Sequence, residues 1–81
     1  MVQTEPVVVR FERSGRGGKS VTVLEGLREN PKRRDELLVL LKKKLGAGGT
    51  SRGGTLEIQG DQRGRLGILL TEWGYRVTRG N

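Results

Sequence analysis

Apolar residues in this chain recur in some stretches at a spacing of two and in others at three to four, and glycine or proline stands at most of the changes. This restricts the fold more than any other feature. A period of two belongs to a strand with one buried face, and a period near 3.6 to a helix with one buried stripe. Val7, Val9 and Phe11 alternate with Val8, Arg10 and Glu12, which reads as a strand. Ser14–Ser20 interrupts it with three glycines, and Ser20–Glu25 is again β-branched and apolar. The two segments predict a hairpin with the loop at its tip. Asn30-Pro31 opens a helix, since Asn is a good N-cap and Pro suits the first helical position. Leu37, Leu38, Leu40, Leu41 and Leu45 form its apolar stripe, and Gly46 is the expected C-cap. A very short strand is expected around Thr50–Arg52, and another over Thr55–Gln59 with Leu56 and Ile58 inward. Asp61 is the candidate N-cap of a second helix, with Leu66, Leu69, Leu70 and Trp73 on its buried side and Gly74 at its end. Tyr75–Thr78 alternates once more as a final strand, Tyr75 and Val77 sharing a face. The expected order is β-β-α-β-β-α-β. The expected fold is an α+β sandwich of two layers, with two helices on one face of a mixed β-sheet.

At 81 residues the chain is read as a single domain, 1–81, with residues 1–6 frayed and residues 14–20 a flexible basic loop. It has no cysteine and no histidine. That removes disulfides, thiolate ligands, the commonest general base and the commonest metal ligand, so no metal and no cofactor is expected. Sixteen Lys/Arg against nine Asp/Glu leave a formal charge of +7. An excess of this size in a small domain points to an anionic partner, most often nucleic acid. No apolar run approaches the roughly 20 residues of a membrane span, and the N-terminus lacks the pattern of a signal peptide. A cytoplasmic monomer without membrane contact is expected.

Several clusters are candidates for the contact. Arg13, Arg16 and Lys19 stand at three-residue spacing with Gly15, Gly17 and Gly18 between them. Glycine lets backbone approach a phosphate, and the cations attract it regardless of base sequence. Gly18-Lys19-Ser20 invites comparison with a nucleotide-binding P-loop, but Arg13 stands where the first glycine should be, and a strand follows where a helix is required. Lys32, Arg33 and Arg34 open the first helix, where the dipole disfavours cations. Lys42, Lys43 and Lys44 close it, where dipole compensation and RNA contact are equally good explanations. Gln59, Asp61, Gln62 and Arg63 gather at a strand-to-helix corner able to present side chains and N–H groups to phosphate. Arg63 and Arg65 again sit at the end of a helix that its dipole would not choose for them. Trp73 completes an apolar stripe and reads as core. No pair or trio of residues suggests catalysis, because no serine has a histidine to activate it.

The order of a basic glycine arm, V-T-x-x-x-G-L, a helix ending K-K-K-L, G-x-G-G-T, L-E-I-Q-G-D-Q-R and a terminal G-Y-x-V resembles eukaryotic translation initiation factor one, its archaeal counterparts and the bacterial YciH-type proteins. The resemblance covers about Arg10 to Arg79, and Leu56–Arg63 after Gly48-Gly49-Thr50 is its most specific piece. The compact Thr50–Leu56 hairpin and the terminal G-Y-x-V are nearer the bacterial and archaeal type than the eukaryotic one, and the resemblance as a whole points most to the bacterial, YciH-type members. Many relatives carry cysteine where this chain has Gly46-Ala47-Gly48. The resemblance implies a factor without catalytic activity that binds the small ribosomal subunit through rRNA, near the initiator tRNA and mRNA, and influences start-codon selection. The arm with Arg13, Arg16, Gly17, Gly18 and Lys19, the basic residues of the first helix and the Gly60–Arg63 corner would carry the contact. Two alternatives stand beside it: a general RNA-binding or RNA-remodelling module of the same fold, and a protein-interaction domain whose basic patches meet an acidic partner.

Overall fold

The computed structural model describes residues 3–13 and 19–81. The elements run β1 (Val7–Arg13), β2 (Ser20–Glu25), α1 (Pro31–Leu45), β3 (Gly49–Arg52), β4 (Thr55–Gln59), α2 (Arg63–Glu72) and β5 (Val77–Arg79). This is the expected order. The five strands form one sheet in the order β3-β4-β2-β1-β5. β1 pairs with β5 in parallel and every other pair is antiparallel, so the sheet is mixed.

The register decides which face is buried. Val9 lies opposite Leu24, Leu24 opposite Leu56, and Thr22 opposite Ile58. These residues join Val7 on one face, where Leu38, Leu41 and Leu45 of α1 and Leu66 and Leu70 of α2 cover them to form the core. Both helices therefore lie on the same side, as the alternation of Val7, Val9, Leu56 and Ile58 required. Among the described residues the other face carries no helix. There Arg10 forms ion pairs with Glu12 and with Glu25, the latter at 3.1 Å.

Helix α1 is bounded as its sequence indicates. The Asn30 side chain accepts from the Arg33 N–H at 2.9 Å, and Pro31 stands in the first turn. Gly46 turns left-handed at φ 64° and donates its N–H to the Lys42 carbonyl, a conformation glycine adopts without steric penalty.

Three expectations are corrected. Leu40 is 41% exposed and lies outside the core stripe. It projects on the flank of α1 beside Leu37 and Tyr75, and the adjoining leucines fill the space beneath. The last strand begins at Val77 and runs to Arg79, because Tyr75 still belongs to the turn that leaves α2, with its N–H bonded to the Leu70 carbonyl. Asp61 is not the N-cap of α2. Gln62 occupies that position without a side-chain cap bond, and Asp61 accepts from the N–H and guanidinium of Arg63.

Candidate nucleic-acid interface

Residues from four parts of the chain meet at one end of the sheet. β1 and β2 pair as far as Arg13 opposite Ser20, so the ends of the basic loop are held there. The corner between β4 and α2 is fastened to the same place. Gly60 N–H donates to the Ser20 carbonyl at 2.9 Å. The Thr22 hydroxyl donates to the Gly60 carbonyl at 2.7 Å and accepts from the Gln62 N–H at 2.7 Å. Thr22 is fully buried, and these two bonds satisfy its hydroxyl. Gly60 turns at φ 85°, a conformation costly for any residue with a Cβ.

The side chains of the corner are organised around Arg63. Its guanidinium forks onto Asp61 at 2.8 and 2.9 Å, lies over the Phe11 ring at 4.8 Å and reaches the Asn81 carbonyl at 3.4 Å. Asn81 in turn exchanges two hydrogen bonds of 2.8 Å with the Phe11 backbone. The bond from Arg63 holds the Asp61 carboxyl below the usual carboxylate range, and the same bond raises the Arg63 guanidinium. Arg63 thus has a structural reason for its place at a helix start. So does Arg65, whose guanidinium donates to the Leu45 and Lys44 carbonyls at 3.4 and 3.1 Å and closes the C-terminal end of α1.

The candidate residues divide by position. Arg13, Lys19, Gln59, Asp61, Gln62 and Arg63 are brought together at the arm end of the sheet. Arg16, Gly17 and Gly18 lie outside the described residues. Lys42 and Lys43 are exposed in the last turn of α1, which reaches the same end because the Gly48 carbonyl accepts from the Gln59 N–H at 2.8 Å. Lys32, Arg33 and Arg34 stand at the far end of α1, separated from Lys42 by about 15 Å of helical rise. Arg33 pairs there with Glu36 at 3.1 Å, and Arg34 donates to the Glu29 carbonyl at 3.0 Å. The first-turn cations therefore lie at the opposite end of α1 from Lys42, Lys43 and the Gly60–Arg63 corner.

Phe11, Thr22, Arg79 and Asn81 belong to the corner without having been singled out from the sequence. Thr22 carried a readable signal, a polar residue two positions from Leu24 and so on the same inward face, which demands a partner. Asn81 carried none, because its bond spans 70 positions of chain. Among the described residues no helix is long and apolar enough to cross a membrane, and no three acidic side chains gather as a metal site would require.

Fold and site together define a small α+β domain with a concentrated cationic end. The family profile described as "Translation initiation factor SUI1" matches residues 3–76, and the chain belongs to that family. It is 40% identical to a protein translation factor SUI1 homolog of Ignicoccus hospitalis over 75 residues, 93% of this chain and 71% of that protein. Identity to the SUI1 homolog of Pyrococcus horikoshii is 40% over 73 residues, 90% of this chain and 73% of the relative. The YciH protein of Salmonella typhimurium is 42% identical over 72 residues, 86% of this chain and 67% of its own length. The likeness read from L-E-I-Q-G-D-Q-R and its neighbours is thus a family relationship, shared almost equally with archaeal and bacterial members.

Proposed function

We propose that this protein binds the small ribosomal subunit through rRNA and influences the choice of start codon and initiator tRNA, without catalysing a reaction. The observation that carries the reading is the fastening of the Gly60–Arg63 corner to the base of the basic loop through Ser20 and Thr22. A pre-ordered corner beside a cationic segment places donors and positive charge against phosphate with little left to order on binding. Membership of a translation initiation factor family supports the ribosome as the source of that phosphate. Few aromatic side chains are available for base stacking, which favours recognition of backbone and shape. Arg13, Lys19, Gln59, Gln62 and Arg63 act together in this reading, Lys42 and Lys43 extend the patch, and Arg16, Gly17 and Gly18 complete the arm. The work would be done in the cytoplasm, where the small subunit is.

Chemical footprinting of small-subunit rRNA with and without the protein tests the proposal. Discrete protection near the decoding region, lost on Arg63→Glu, is the expected result. The Arg63→Glu protein should keep its fold, as judged by circular dichroism. A uniform, weak protection matched by unstructured RNA of equal charge would instead identify a general RNA-binding module.

A further inference from the structure

A cationic end attracts any polyanion, and its charge does not tell one nucleic acid from another. Two neutral side chains at the same place can. Glu12 lies opposite Val21 and Val21 opposite Gln59, and the Gln59 N–H reaches the Gly48 carbonyl at 2.8 Å. Gly48, Gln59, Val21 and Glu12 therefore form the last cross-strand row before the Arg13–Ser20 pair, on the face opposite the helices. Glu12 is the one acid of the row, and Arg10 holds it in an ion pair. The backbone does not require glycine at Gly48, whose φ is not left-handed. A Cβ there would stand 3.1 Å from Cδ and Oε1 and 3.4 Å from Nε2 of Gln59. Glycine beside a strand often marks a close approach. What approaches here is a carboxamide laid face-on against the backbone. Gln62 supplies a second carboxamide, whose Nε2 donates to the Gln59 carbonyl at 3.3 Å and lies 3.7 Å from the place of a Cβ on Gly60. Among the described residues the Gln59 carboxamide has no hydrogen-bond partner, and the Gln62 Oε1 accepts no bond.

We propose that these two carboxamides read the ribose 2′-hydroxyl of RNA, and that Gln59 is the residue that separates RNA from a polyanion lacking that group. The inference rests on the RNA-binding reading above and names the group that is read. A carboxamide both donates and accepts, and so does the 2′-hydroxyl, whereas phosphate oxygens only accept. Amides lying flat on a sheet do not enter the deep, narrow major groove of A-form RNA. Its wide, shallow minor groove displays the 2′-hydroxyls to such a surface. Gly48 and the Gln59 carbonyl hold the two amides in place before RNA arrives, so little side-chain freedom is lost on binding. The cations of the same end supply affinity, and the amides supply the distinction.

The test uses an RNA hairpin with a fully paired stem and its 2′-fluoro counterpart, which keeps the A-form but lacks the hydroxyl donor. A second RNA hairpin with a changed stem sequence is the comparator. Binding is followed at low salt by fluorescence anisotropy and by the side-chain amide NMR signals of Gln59 and Gln62. The RNA hairpin should bind roughly tenfold more tightly than the 2′-fluoro form, should move both signals, and should be matched by the second sequence. Gln59→Leu should bring the RNA affinity down to that of the 2′-fluoro form and leave the latter unchanged. The salt slope should also stay the same, because no charge is lost. Gly48→Ala should reduce the preference in the same direction by crowding the Gln59 amide. Arg63→Glu should weaken both hairpins alike. Equal affinity for the RNA and 2′-fluoro hairpins, or binding of neither, overturns the proposal. An equal loss on both from Gln59→Leu overturns it too. So does a preference that follows the stem sequence, which would assign the amides to base edges. Equal affinity combined with the loss on Arg63→Glu would leave the interface reading standing and remove this inference alone.

Discussion

Thr22 holds two elements together through one hydroxyl, and its replacement separates that role from simple packing. Thr22→Val keeps the shape but leaves the Gln62 N–H and the Gly60 carbonyl without their buried partner. We expect a loss of about 1–3 kcal/mol in a denaturant melt, together with weaker small-subunit binding because the corner loosens. A change of stability near zero would show that water satisfies both groups. Tyr75 offers a second residue-scale test. Its hydroxyl donates to Glu29 at 2.7 Å, and partial burial followed by that bond pushes its pKa up to about 12 from 10.0. A raised pKa means that the folded state holds the proton more tightly. The stabilisation is therefore complete below pH ~10 and is lost as pH rises toward ~12. Tyr75 is the single tyrosine of the chain, so phenolate absorbance reports it alone. We expect a midpoint near the raised value in the native protein and a lower one in Glu29→Gln. Equal midpoints would remove Glu29 as a cause.

At the scale of elements, most of the fold was legible because its signals are local. Asn30, Pro31 and Gly46 delimit α1 by their own backbone chemistry, and Leu56 and Ile58 set the inward face of β4 by alternation alone. What escaped the sequence depends on distant partners. Leu40 matches the period of the stripe as well as Leu41 does, yet Leu41 is fully buried and Leu40 is 41% exposed. Only the crossing of α1 over the sheet distinguishes them. Arg63 and Arg65 looked misplaced against a helix dipole, and both are accounted for by acceptors on other elements, namely Asp61 and Asn81 for one and the end of α1 for the other. The first-turn cations Lys32–Arg34 and the Gly60–Arg63 corner are both candidates for the contact by sequence, and the course of α1 sets them at opposite ends of the molecule. Paired truncations measure the leucine distinction. Leu41→Ala should cost about 2–5 kcal/mol and Leu40→Ala less than about 1 kcal/mol in the same melts. Similar losses for both would mean that the buried face of α1 is misassigned.

For the whole molecule, a charge of +7 concentrates its effect where the arm end, the corner and the last turn of α1 converge. Changing Arg13, Arg16 and Lys19 together to alanine should leave the Tm nearly unchanged. Small-subunit affinity should fall, and its logarithmic dependence on salt should become shallower by about one unit per lost phosphate contact. An unchanged slope would remove the arm from the electrostatic contact. The parallel pairing of β1 with β5 has a different kind of consequence. Val7 meets Val77 across 70 positions of chain, so closing that pair has the largest loop-closure cost in the sheet. The antiparallel β1-β2-β4 ribbon can assemble first, and β5 is the strand expected to join late and to detach early. Native-state hydrogen exchange should register this seam as opening sooner at Thr78 and Gly80 than at the amides of the β1-β2-β4 ribbon.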